Sequence, residues 1–188
     1  FITPEQALAK VKRRTLVIVV DTHRVMLCEC PELLDKTSRI VVFDHHRKTS
    51  GAIENYSLTY HEAYASSTSE MVTEMLMYIK GVRLSRAEIE GLLAGITVDT
   101  KNFAFKTGIK TFEAAAFLKK NGADTISVRR LFKSSFDAYM AKTEIVRTAE
   151  IIFDNMAISE LDREVENPSV LIAQAADELL SIDGIEVS

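Results

Sequence analysis

Three short apolar segments frame this chain: residues 15–20 (Thr-Leu-Val-Ile-Val-Val), residues 39–43 (Arg-Ile-Val-Val-Phe) and residues 92–98 (Leu-Leu-Ala-Gly-Ile-Thr-Val). The first two are almost unbroken runs of β-branched side chains. That pattern predicts parallel strands covered on both faces rather than half-exposed, alternating ones. Each segment ends on an acid, the first at Asp21, the second at Asp44-His45-His46-Arg47 and the third at Asp99. In open α/β sheets ligands lie outside the carboxyl ends of the strands, so acids and imidazoles from separate segments can converge there.

Helix signals fill the intervals. Thr3-Pro4-Glu5-Gln6 supplies an N-cap, a first-turn proline and a Gln three residues after the cap, predicting a helix over residues 4–13. A short helix over residues 31–36 would make a right-handed βαβ crossover the natural link between the first two strands. Residues 56–60 alternate enough for a third strand. Ser67 with Glu70 and Ser85 with Glu88 have capping-box spacing, predicting one helix up to residue 79 and another through residue 96 that leads to Asp99. A helix over 111–120 should stop at Asn121-Gly122.

Further on, the pairs Ile145/Val146 and Ile152/Phe153 predict one long helix from residue 136 to residues 154–155, with a single buried stripe. Residues 156–158 are strand-like, and residues 160–168 are polar. A fresh unit then begins with Val170-Leu-Ile172, a helix over 175–180 and Asp183-Gly184. The expected organisation is a first domain over residues 1–158, a linker over 159–168 and the opening of a second α/β domain over 169–188. A start at Phe1 and a stop at Ser188 in mid-pattern suit a piece of something longer. No internal repeat is visible.

Composition narrows the function classes. With 47% hydrophobic and 27% charged residues and only 3 prolines among 188, the chain is an ordinary globular sequence rather than a disordered one. A net charge of -4 provides no broad basic field for long nucleic acid. It still permits a small phosphate ligand held through metal. No apolar run approaches the roughly 20 residues of a spanning helix, and no signal-peptide pattern opens the chain, so a soluble segment is expected. Cys28 and Cys30 form a lone C-x-C with no second pair for zinc, and two spare thiols suit a reducing cytoplasm.

Each candidate site residue also has a plain structural reading. Asp21 can form a turn or cap a helix as readily as it can bind metal. In Asp44-His45-His46, vicinal side chains on a strand or tight turn diverge, so one imidazole can ligate a metal while its neighbour meets another partner. Imidazole suits manganese, iron or zinc, and carboxylate suits manganese or magnesium. Asp99 at a helix carbonyl end is electrostatically misplaced, which favours a ligand role. Residues 66–69 first of all cap a helix, although exposed amides at a helix start also hold phosphate. Gly91-x-x-x-Gly95 suggests close helix packing, and His23 and His61 read as local hydrogen-bonding groups. Arg47, Lys48 and Lys101 are solvated charges unless they border a site.

Together, residues 20–23 (Val-Asp-Thr-His), 44–47 (Asp-His-His-Arg), 64–71 (Tyr-Ala-Ser-Ser-Thr-Ser-Glu-Met) and 95–103 (Gly-Ile-Thr-Val-Asp-Thr-Lys-Asn-Phe) resemble successive motifs of the DHH phosphoesterase superfamily. Residues 106–116, 122–124 and 131–132 extend the likeness to the GdpP-type cyclic di-AMP phosphodiesterases, over almost the whole chain. The resemblance implies a parallel-sheet α/β domain with helices on both faces, followed by the opening of a DHH-associated domain, which residues 170–177 resemble. It implies a hydrolase in which two manganese ions serve to open cyclic di-AMP to pApA. By motif position Asp21 resembles the carboxylate bridging both metals, His45 and Asp99 resemble ligands of one, and His46 resembles the histidine that contacts the reacting phosphate. Ser66, Ser67, Thr68 and Arg47 are the expected substrate-binding residues.

The family's His-x-x-Pro-Asp-x-Asp motif would precede Phe1, and its Gly-Gly-Gly-His motif would follow Ser188. The parent protein is therefore expected to catalyse, and the segment alone to bind metal weakly. The expected setting is cytoplasmic, with a membrane anchor elsewhere in the parent compatible and a homodimer left open. The expected partner is a small cyclic dinucleotide rather than long nucleic acid or membrane. Two other readings fit the same residues: a DHH-family oligoribonuclease or nanoRNase acting on short linear nucleotides, and a noncatalytic regulatory or interaction module.

Overall fold

The computed structural model describes residues 1–162 and 164–188. They form two compact units, Phe1–Leu131 and Phe132–Ser188. The first unit holds a parallel sheet of three strands in the order β1-β2-β3, with β1 Val17–Val20, β2 Ile40–Asp44 and β3 Leu58–His61. Val17 pairs with Ile40 and Asp44 with His61, so the carboxyl ends of all three strands reach one edge. Helices lie on both sides of the sheet, but Ile18 and Val20 of the edge strand β1 stay half-exposed, so the cover on both faces expected of the apolar strands is incomplete there.

The first helix, α1 (Pro4–Lys10), forms the expected capping box between Thr3 and Gln6 but stops short of residue 13. Its end has a local cause: the Thr15 hydroxyl accepts the Lys12 amide hydrogen at 2.8 Å and closes a turn there. Between β1 and β2 the chain makes two 3-10 turns, Val25–Leu27 and Pro31–Asp35, where one short helix was expected. Leu34 from the second turn packs with Ile40, Val42 and Ile53, and with Val17 and Val19, to make the core on that side of the sheet.

After β3 come α2 (Thr68–Tyr78), α3 (Arg86–Asp99), α4 (Ile109–Lys120) and α5 (Thr125–Leu131). Ile89, Leu93 and Ile96 of α3 meet Ala114 and Leu118 of α4 and Val128 of α5 in a second core. Gly95 makes the close approach anticipated for the glycine pair, because a Cβ there would lie 2.1 Å from Ser69 Oγ on α2. Gly91 does not, since nothing lies within 4 Å of a Cβ at that position.

The second unit departs further from expectation. Instead of one helix reaching residues 154–155, α6 (Phe136–Arg147) ends and a hairpin follows, β4 (Glu150–Ile152) and β5 (Met156–Ile158). Two hydroxyls stop the helix. Thr148 donates to the Glu144 carbonyl at 2.9 Å, and Ser159 donates to the Ile145 carbonyl at 2.7 Å. Phe153 and Asp154 then turn the hairpin at φ 52° and 66°. Val170-Leu-Ile172 lies inside α7 (Pro168–Leu179), where proline at the first turn starts the helix well before residue 175. In sequence the two compact units meet at Leu131 and Phe132. Of the expected linker over 159–168, Arg163 lies outside the described residues. Among the described residues no helix is long and apolar enough to cross a membrane.

Candidate metal and phosphate site

The site grows from the common carboxyl edge of the strands. The Asp21 amide still donates to the Phe43 carbonyl at 2.9 Å, extending the ladder by one residue beyond Val20. Its backbone then swings to φ 65°, a left-handed conformation uncommon outside glycine, asparagine and aspartate, which turns the chain at the strand end. On β2 the inward positions Ile40, Val42 and Asp44 are all buried. His45 follows, outside the ladder but buried. Asp99 comes from a helix rather than a strand, as the last residue of α3.

These elements set two predicted carboxylates, Asp21 and Asp99, each beside the His45 imidazole. His45 Nε2 lies 3.6 Å from Asp21 Oδ1 and 3.6 Å from Asp99 Oδ2. Both separations exceed a hydrogen bond. Among the described residues, the other ring nitrogen of His45, Nδ1, is buried without a hydrogen-bond partner. A buried imidazole bonded through neither nitrogen and facing two carboxylates is an arrangement that a divalent cation satisfies. Ligand bonds of about 2.0–2.2 Å set ligand atoms roughly 3–3.6 Å apart. A ring nitrogen of His46 also lies within 4.8 Å of ligand atoms of Asp21 and His45. The two imidazoles do not diverge as vicinal side chains were expected to: their centroids lie 4.4 Å apart at 56°, and both rings offer a nitrogen beside Asp21.

Electrostatics agree with a cation site. Burial and then the neighbouring Asp21 charge push the Asp99 carboxyl above its ordinary value, against smaller opposing effects from His45, His46 and Lys106. Asp44 behaves differently. Burial raises it, but hydrogen bonds from His46 and His23 outweigh that and hold it below the usual value. Asp44 carried no assigned role in the sequence reading. The signal was present: an acid on the buried register of a strand needs partners.

The start of α2 forms the second part of the site. Ser67 accepts the Glu70 amide at 2.9 Å and caps the helix. The reciprocal half of a capping box is absent, because the buried Glu70 carboxylate instead accepts from the Ser66 hydroxyl and, at 2.6 Å, from the Thr111 hydroxyl of α4. Ser66 and Ser67 thus have their hydroxyls engaged. Among the described residues, Thr68 Oγ1 is buried with no partner. Gly95 and Asp99 are one helical turn apart on α3 (i, i+4), so the Gly95–Ser69 contact sets the first turn of α2 beside the turn that carries Asp99. Arg47 is exposed on the segment that follows His46.

The chain belongs to the DHH family: residues 2–96 match the model of the DHH family, N-terminal domain. Among curated proteins it is similar to the cyclic-di-AMP phosphodiesterase GdpP of Geobacillus thermodenitrificans, 47% identical over 188 residues, covering 100% of this chain and 29% of that protein. It is likewise similar to the cyclic-di-AMP phosphodiesterase PdeA of Listeria monocytogenes, 40% identical over 188 residues, with the same coverage of 100% and 29%. The chain therefore spans less than a third of the length of these relatives. Among solved structures, an exopolyphosphatase-related protein from Bacteroides fragilis superposes with a TM-score of 0.80 over 96% of this chain and 56% of that one. At 17% identity that likeness is one of fold alone.

Proposed function

We propose that this chain is the metal-binding part of a manganese-dependent phosphodiesterase that hydrolyses cyclic di-AMP to pApA. The observation that carries the reading is the buried, unbonded His45 imidazole set 3.6 Å from both Asp21 and Asp99 at the carboxyl edge of a parallel sheet. The names of the relatives supply the substrate class. Asp21, His45 and Asp99 hold metal. Mixed carboxylate and imidazole donors suit manganese, and divalent ions supply phosphate charge neutralisation and activation of the attacking water.

The remaining residues act on the substrate directly. Amides at the start of α2, the Thr68 hydroxyl and Arg47 bind the phosphate, while Ser66 and Ser67 hold that helix start in place. His46 contacts the reacting phosphate and carries the proton needed as water's oxygen forms the new P–O bond and the ribose oxygen leaves. The same proposal takes residues 1–158 as the DHH domain and residues 169–188 as the opening of the DHH-associated domain. It sets the protein in the cytoplasm.

Comparing rates on cyclic di-AMP, pApA and short RNA with the full-length protein and manganese tests this. Cyclic di-AMP should be consumed fastest, with pApA as product. Faster turnover of pApA or short RNA would assign an oligoribonuclease instead. No turnover of any of the three would leave a noncatalytic module.

A further inference from the structure

Asp44 is wholly buried, and both of its carboxylate oxygens are taken by imidazoles from different segments. His23 Nδ1 bonds Oδ2, and His46 Nδ1 bonds Oδ1 at 2.7 Å. The His46 backbone amide also donates to Oδ1, at 3.3 Å. His61 adds a fourth contact, its Nε2–H donating to the His46 carbonyl, and its ring stands edge-on to His23 at 5.2 Å. His46 is thus held by side chain, amide and carbonyl together, although its side chain is 55% exposed.

These contacts fix the ring protons. His23 Nε2 lies 3.1 Å from the Thr49 backbone nitrogen, which can only donate, so Nε2 accepts and the His23 proton sits on Nδ1, pointing at Asp44. The Thr49 hydroxyl, 3.3 Å from the same nitrogen, also donates to it. An ionised carboxylate is acceptor-only, so His46 likewise carries a proton on Nδ1. The nitrogen left open to a reactant is His46 Nε2.

We propose that His23 and Asp44 are positioning residues that set the tautomer and aim of His46, presenting Nε2 to the reacting phosphate. The proposal rests on the phosphodiesterase reading for its kinetic consequence. Its structural content stands without it. An imidazole held through Nδ1 by a buried carboxylate keeps one tautomer and one ring orientation through the reaction. His23 keeps Asp44 from turning away by occupying its second oxygen.

Long-range 1H–15N spectra of the 15N-labelled, metal-free protein read the tautomers directly. Both His23 and His46 should show the Nδ1–H form, and Asp44→Asn, which offers one acceptor and one donor, should shift His46 away from it. In the full-length enzyme His23→Leu should lower kcat by about tenfold or more with KM within about twofold, the pattern of a lost transition-state interaction. His23→Asn places an amide N–H near the former Nδ1 and should restore most of that loss. An Nε2–H tautomer at His46 in the unaltered protein would overturn the proposal. Equal losses in the Leu and Asn variants, or no loss in either, would overturn it as well. If the unaltered enzyme turned over no dinucleotide, the phosphodiesterase reading would fail, and the spectra would still decide the His23–Asp44–His46 arrangement.

Discussion

Asp99 is the residue where function and stability oppose each other most clearly. Burial and the adjacent Asp21 charge lift its carboxyl above the ordinary value, so the folded state holds that proton more tightly than the unfolded chain does. As pH rises through the raised value the proton is lost and the fold loses stability, and above it the whole penalty is present. In metal-free protein at pH 7, Asp99→Asn should therefore raise Tm, with the gain fading as pH falls toward the ordinary carboxylate range. Calorimetry in chelator checks this, and a lower Tm at pH 7 would contradict it. The neighbouring imidazoles should separate kinetically. His46→Ala should lower kcat by roughly 10²–10⁴-fold with manganese affinity kept, whereas His45→Ala should damage both. Full turnover in the His46 variant, or equal loss of manganese in the two variants, would end that division of labour.

Site residues were legible in the sequence wherever an apolar segment broke on a charge. Asp21, His45, His46 and Asp99 all announce themselves that way. Asp44 stands at such a break too, but its role and that of His23 depend on which distant loop returns beside them, and Thr49 meets His23 only once the chain has folded. Thr68 was grouped with Ser66 and Ser67, yet the buried Glu70 carboxylate separates them by claiming Ser66.

At the scale of elements, caps and close approaches set where the site residues point. Gly95 is the tightest case. An alanine Cβ there would meet Ser69 Oγ at 2.1 Å and Ser69 Cβ at 2.9 Å, so α3 must move away from α2. Gly95→Ala should destabilise the protein by about 1–3 kcal/mol, as overpacking does, and weaken metal binding by shifting Asp99. Adding Ser69→Gly, which removes both clashing atoms, should recover part of the loss; denaturant titration of the single and double variants reads this, and additive losses would contradict it. Thr111→Val should cost about 1–3 kcal/mol by leaving buried Glu70 short of a donor, again measured by denaturant titration, and an unchanged midpoint would contradict the Ser66–Glu70–Thr111 link.

Element types in the first unit follow from capping signals and β-branched runs. The second unit was harder to read, because a seven-residue apolar spacing does not reveal that Thr148 and Ser159 will take the final carbonyls of α6 and leave Ile152 to a strand.

For the whole molecule, two features of the fold make the site. A parallel sheet gathers strand ends at one edge, and α3 brings in an acid that its own dipole disfavours. Asp99 at the last turn of a helix is not a stable choice on local electrostatic grounds, and the proposed cation would offset that charge. The charge of -4 on the chain does not oppose phosphate binding when metal intervenes.

The most direct measurement is an electron paramagnetic resonance titration of manganese with the unaltered protein and with Asp21→Asn, His45→Ala and Asp99→Asn. The six-line signal of free Mn²⁺ should be lost as the unaltered protein binds it, and each variant should need at least about tenfold more protein for the same loss. Identical curves for all four proteins would show that these three residues do not form the metal centre.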